Sequence, residues 1–106
     1  MIGGVVLYVV SCAFTDPAVA EAWVAWLRDG HLAEVCAAGA RDAQVFRIDG
    51  DALRYDVHYR FGSRAAFERY LAEAAPRLRA EGLRRFPTAL GLTYTRWVGE
   101  PVARVP

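Results

Sequence analysis

The chain opens on a run that is apolar in both phases. Residues 4–14, GVVLYVVSCAF, carry β-branched and aromatic side chains at odd and even positions alike. A strand covered on one side alternates, so this run predicts a strand needing cover on both faces. Asp16-Pro17 then supplies an N-cap and a first-turn proline. Val19, Trp23, Trp26 and Leu27 follow at helical spacing on one face. Gly30 ends or kinks this helix, and LAEVCAA makes a second short piece closed by Gly39.

Residues 43–49 and 52–61 read as two strands around Gly50-Asp51, a hairpin turn. The second alternates cleanly, with Leu53, Tyr55, Val57, Tyr59 and Phe61 on one face and Arg54, Asp56, His58 and Arg60 on the other. Ser63 caps a helix striped by Phe67, Tyr70, Leu71 and Ala74. Pro76 opens a further segment through Leu78, Leu83 and Phe86. TALGLTYTRWV (88–98) closes as a strand, and EPVARVP is irregular.

The order is βαββαβ over one domain, residues 1–106: an α+β, ferredoxin-like unit with a four-stranded antiparallel sheet and the helices on one face. The other face is left bare, yet the first strand demands cover there. A second copy of the same sheet is the economical cover, because twofold homodimers are the commonest assemblies. Two such sheets face to face form a dimeric α+β barrel. A hydrophobic fraction of 55%, above the ordinary 45–50%, points to the same burial by a partner.

Charge changes the picture by exclusion. The net charge is +1 and every basic residue is arginine, which leaves no electrostatic footprint for nucleic acid or an anionic membrane. No stretch approaches the ~20 apolar residues of a membrane span. Cys12 and Cys36 stand apart without CxxC spacing and read as small core residues of a reducing, cytoplasmic compartment. VVSC (9–12) has the look of a lipoprotein cleavage site but lacks a basic residue before it, so export is not expected.

Two longer motifs carry a resemblance. WxxWLxxxHLxEVxxxG (Trp23 to Gly39) and YLAEAAPRLRAEGLRRF (Tyr70 to Phe86) resemble an uncharacterised bacterial family, a domain of unknown function within the dimeric α+β barrel superfamily. The resemblance covers about nine-tenths of the chain. It implies a ligand pocket between the helices and the concave sheet, as in relatives that include monooxygenases, cyclases, isomerases and heme-degrading enzymes. The family's proline after the histidine is Ala33 here, and its later histidines fall at Ala74 and Gly82. An activity resting on those histidines is therefore lost or altered in this chain.

The candidate site follows from these motifs. Trp23 and Trp26 either pack the core or wall a cavity. His31, placed after Gly30 in the last turn of the first helix, either caps the carbonyl ends as an imidazolium or moves a proton, with Glu34 within reach to orient it. Tyr55, Tyr59, Tyr70 and Tyr94 carry hydroxyls that need partners, and Tyr55 and Tyr70 are taken as cavity residues. Arg79 binds a carboxylate or enolate bidentately, or pairs on the surface with Glu81 or Glu73. Asp56, His58 and Arg60 lie on the face turned toward a second subunit and form its hydrogen-bond network.

Other chemistries find no support. His31 and His58 fall on different elements without metal-ligand spacing, and no phosphate-cradling glycine loop occurs. DVHYRF imitates an RNA-recognition strand, but Asp56 and His58 stand where stacking aromatics belong. The expected function is binding of a small apolar or aromatic molecule by a homodimer. The alternative is an enzyme of cyclase, isomerase or monooxygenase type, using His31 as acid/base without metal or cofactor.

Overall fold

The structure, a computed structural model, describes residues 4–106. Strand β1 (Val6–Phe14) is followed by helix α1 (Pro17–Trp26), a π turn (Leu27–His31) and helix α2 (Leu32–Ala37). Strands β2 (Ala40–Arg47) and β3 (Leu53–Phe61) make the hairpin. Helices α3 (Arg64–Glu73) and α4 (Ala75–Arg85) follow, then a 3-10 turn (Thr88–Leu90) and strand β4 (Leu92–Gly99). The sheet order is β2-β3-β1-β4 and every pairing is antiparallel, the ferredoxin-like arrangement that the element order implies.

Local chemistry sets the boundaries. Asp16 accepts from the Ala18 amide at 2.9 Å and Ser63 from the Ala66 amide at 3.0 Å, so both N-caps read from the sequence are made. Pro76 sits in the first turn of α4, where its missing N–H costs nothing. Gly39, at φ +136°, turns the chain out of α2 into β2.

At Gly30 the helix kinks, as expected: the backbone there (φ 178°, ψ −41°) leaves the helical region, while the Leu32 amide donates to the Leu27 carbonyl across the break and α2 follows. Two boundaries differ from expectation. Strand β2 begins at Ala40 rather than residue 43, with a bulge between Ala40 and Asp42 absorbing the change of phase. Strand β4 begins at Leu92 rather than residue 88, because Thr88–Leu90 coil into a 3-10 turn closed by Gly91 at φ +91°.

Register decides which side chains share a face. Tyr8 pairs with Tyr59 and Val98, Val10 with Val57 and Arg96, and Cys12 with Tyr55 and Tyr94. These positions turn toward the helices, where Trp23, Leu27, Phe67, Tyr70 and Leu78 complete a core of buried side chains. The opposite face carries Val9 and Ser11 of β1 beside Asp56 and His58 of β3 and Trp97 of β4. Val9 is fully buried within the protomer itself. Phe46, His58 and Trp97 run across it, ring centroids 4.7 Å and 6.3 Å apart. The two-sided greasiness of β1 is thus met partly inside one chain, and the apolar excess passes outward to Phe46, 39% exposed, and Trp97, 47% exposed. VVSC is the middle of this strand, with Ser11 and Cys12 both buried.

Candidate functional site

Between the helix-facing side of the sheet and the helices lies a cavity of about 50 Å³. The sheet contributes Tyr8, Val10, Val57, Tyr59, Tyr94 and Arg96 to its wall. The helices contribute Trp23, Trp26, His31, Tyr70, Arg79 and Leu83 among others. Strand alternation is what delivers the sheet set: even positions of β1 and β4 and odd positions of β3 point the same way.

At the centre stands Tyr8, 3% exposed, with Tyr59, Phe67 and Tyr70 rings 5.8, 5.5 and 6.2 Å away. Its hydroxyl accepts from Arg79 Nη2 at 3.0 Å and from Arg96 Nε at 3.2 Å. Arg79 also lies over the Tyr8 ring, 5.8 Å from the centroid, a cation–π placement. Arg79 Nε is buried and has no hydrogen-bond partner among the described residues.

His31 occupies the helical wall. Its ring stacks on Trp26 with centroids 4.1 Å apart and an interplanar angle of 20°. Nδ1 is buried and unpartnered among the described residues. Burial pushes the imidazole below the usual histidine range, against an opposing pull from Glu81, so the ring is neutral at pH 7. The expected helix-end position is corrected: His31 stands just past the kink at Gly30, as the N-cap residue of α2 and not in the last turn of α1, and the N-terminal end of a helix does not favour an imidazolium. Glu34 does not orient it either. That carboxylate turns toward Arg77, 3.8 Å away.

Burial also fixes the protonation of the phenols. It pushes Tyr70 and Tyr94 up to about 12, and Tyr59 up as well. All three remain hydroxyl donors at neutral pH. Burial likewise pushes the Cys12 thiol up to about 12, which leaves it inert as a nucleophile.

The structure gathers Trp23, Trp26, His31, Tyr70 and Arg79 around the cavity. Tyr55 lies elsewhere, packed against Phe14 and Trp23 with centroids 6.1 and 6.4 Å away. Leu83, on the segment read through Leu78, Leu83 and Phe86, is 48% exposed and stands at the cavity rim. Five positions from Leu78, it falls far around the helix from it. Tyr8 and Arg96 escaped the sequence reading. Tyr8 lies in a strand apolar in both phases, which hides its direction, and Arg96 is a charged residue in the otherwise apolar phase of β4; pairing across the sheet reveals that both turn to the cavity.

Asp56, His58 and Arg60 lie on the bare sheet face. Asp56 is buried there, gripped by Arg54 through Nε at 3.0 Å and Nη2 at 2.9 Å, while Arg54 Nε also donates to Ser11 Oγ at 2.9 Å. Arg60 holds Asp42 in a bidentate pair. Among the described residues no cluster of His, Cys, Asp and Glu could hold a metal ion, and no helix is long and apolar enough to cross a membrane.

Solved structures share this architecture. A dimeric ferredoxin-like protein from an uncultured marine organism aligns with a TM-score of 0.75 at 16% identity, over 96% of this chain and 99% of that one. SnoaB, a cofactor-independent oxygenase from Streptomyces nogalater, aligns at 0.67 and 19% identity, over 97% and 98%. The ActVA-Orf6 monooxygenase of Streptomyces coelicolor, solved with nanaomycin D, aligns at 0.71 and 18% identity, over 98% and 92%. At such identities the likeness is one of fold. No curated protein matches the sequence. The sequence itself matches one family over residues 5–96, and the chain belongs to it: the domain of unknown function DUF4286.

Proposed function

We propose that this chain forms a homodimer through its bare sheet face and that each protomer holds a small aromatic molecule in the cavity. One observation carries the ligand: His31 Nδ1 and Arg79 Nε, both on cavity-lining residues, are buried without partners. Buried polar atoms are nearly always satisfied, and a bound molecule is the partner these two lack. The walls suit an aromatic guest, since indole and phenol faces offer stacking and edge contacts.

The cavity, about 50 Å³ and half-enclosed, falls short of the ~150 Å³ void known to admit a benzene ring. A guest must therefore displace part of the wall, and half-exposed Leu83 at the rim is the side chain least held in place. The dimer is supported by Phe46 and Trp97, exposed in one row across the bare face, and by the dimeric ferredoxin-like protein of the same fold. The free cysteines, Cys12 and Cys36, support a reducing, cytoplasmic setting.

A second reading is favoured by His31 itself. A neutral imidazole on an apolar cavity wall is a competent general base, and SnoaB shows that a fold of this kind hosts a cofactor-independent oxygenase. His31→Ala separates the two readings. Turnover that falls much further than ligand affinity assigns the base; a loss of affinity alone, with no turnover in either protein, leaves a binding module.

The test has two arms. Sedimentation at micromolar concentration should give a dimer. Benzamide, titrated into a Trp97→Phe variant that silences the outer indole, should quench the fluorescence of Trp23 and Trp26. A monomer, together with tryptophan emission indifferent to aromatic probes, sinks the proposal.

A further inference from the structure

The cavity separates charge. Its lining includes two guanidiniums, those of Arg79 and Arg96, and four tyrosines, but no carboxylate among the described residues. The acids of this region, Asp29, Glu34 and Glu81, stand outside, in a cleft on the far side of the Trp26–His31 pair. Among the described residues neither Arg79 nor Arg96 has a carboxylate within ion-pair distance, although five other arginines do.

Both guanidiniums instead converge on one neutral oxygen, the Tyr8 hydroxyl. That brings two positive charges within about two hydrogen-bond lengths of each other beside a half-enclosed apolar space. A phenol accepts their hydrogen bonds but cancels neither charge. Arg79 still has Nε unused and buried, so its planar fork is only partly engaged. Arg96 is exposed on its outer side, which places one cation at the mouth and the other inside.

We infer that the cavity is an oxyanion site: a carboxylate or phenolate borne on an aromatic ring is held between Arg79 and Arg96 beside the Tyr8 hydroxyl. The ring enters past Leu83 toward the Trp26 side, and the charged oxygen takes the donors that now meet on Tyr8. An anion there is worth more than a neutral acceptor, because charge-assisted hydrogen bonds are shorter and roughly twice as strong. His31, whose pKa burial lowers, adds no negative charge to the lining. This inference rests on the reading of the cavity as an aromatic site, and adds the chemical class of its ligand.

Benzoate and benzamide are the probes, equal in shape and different in charge. Each is titrated into the intact protein, with tryptophan fluorescence and the arginine Nε–H resonances as readouts. Benzoate should bind roughly tenfold tighter than benzamide and shift the Arg79 and Arg96 resonances. 4-Nitrophenol, followed on either side of its own ionisation, tests the phenolate source. Either oxyanion binding more tightly than its neutral form carries the inference, and the comparison says which source the site prefers.

Arg96→Gln, at an exposed position, should reduce the preference, and Arg79→Met with Arg96→Gln should abolish it, benzoate losing far more affinity than benzamide. Equal affinity of benzoate and benzamide, together with equal affinity of 4-nitrophenol and its anion, in the unmodified protein overturns the oxyanion assignment and leaves the aromatic site standing. Binding of neither probe overturns both.

Discussion

Trp26 and His31 are five residues apart and stack face to face, ring centroids 4.1 Å from one another. In an α-helix of 3.6 residues per turn, such a pair would point about 140° apart. The kink at Gly30, where φ 178° and ψ −41° lie outside the helical region, breaks the helical phase between them within the turn Leu27–His31. The stack is therefore a product of the irregular turn, and it forms the partition between the inner cavity and the outer acidic cleft.

His31 gives stability a defined pH dependence. Burial lowers its folded-state pKa below the unfolded value, with Glu81 opposing; Arg79 inside and Asp29, Glu34 and Arg85 in the cleft are the other charges lining the same walls. Below an unfolded pKa of about 6.5 the unfolded chain takes up a proton that the folded chain refuses. Stability from this group is thus complete above about pH 6.5 and falls as pH drops toward the folded pKa. Denaturant unfolding at pH 7.5 and 5.5 should show a loss that shrinks in His31→Gln. An identical loss in the variant would remove the buried imidazole as its source.

Gly82 sits mid-helix in α4 on the cavity wall, where a Cβ would meet the Trp26 ring edge at 3.4 Å. That is ordinary contact, so alanine fits, and helix propensity favours it by up to about 1 kcal/mol. Gly82→Ala should raise the melting temperature while weakening aromatic probes through the narrowed cavity. Lower stability would mean that Trp26 cannot yield.

Gly91 closes the turn before β4 at φ +91°, and a Cβ there would fall 2.1 Å from Thr15 Oγ1. Strain and clash together should make Gly91→Ala cost about 2–4 kcal/mol. Thr15→Ala relieves only the clash. In a double-mutant cycle the pair should cost clearly less than the two singles added.

Trp97 is exposed on the bare sheet face beside His58. Trp97→Arg should leave protomer stability within about 0.5 kcal/mol, as surface changes do. It should weaken the dimer by about 2 kcal/mol or more, as loss of an interface aromatic does, read as monomer in sedimentation. A dimer of unchanged affinity would place the interface on another surface.

Asp56 adds a second, lower pH window. Its hydrogen bonds from Arg54 hold the carboxyl below the usual range, outweighing burial, with Ser11 helping. A carboxyl with a depressed folded pKa stabilises above its unfolded value of about 3.9 and loses that contribution as pH falls. Asp56→Asn should blunt the acid limb below about pH 4 when the unfolding series is extended into that range, without touching the step near 6.5.

The sequence by itself determined the sequence of elements. Asp16, Ser63, Pro17, Pro76 and Gly39 mark boundaries through chemistry that acts within a few residues, so they are legible one at a time. Alternation in β3 gave its two faces for the same reason. The helix-borne part of the cavity, Trp23, Trp26, Tyr70 and Arg79, could be read from spacing and motif. The tertiary structure alone decided the rest. Tyr8 and Arg96 meet because β1 and β4 pair in one register, and pairing joins residues 88 positions apart. A break at Gly30 was legible locally, but that it turns His31 onto the Trp26 ring depends on how the two helices pack on either side of it. Tyr55 leaves the cavity because the sheet carries it past Trp23 to Phe14, a placement set by contacts between distant segments.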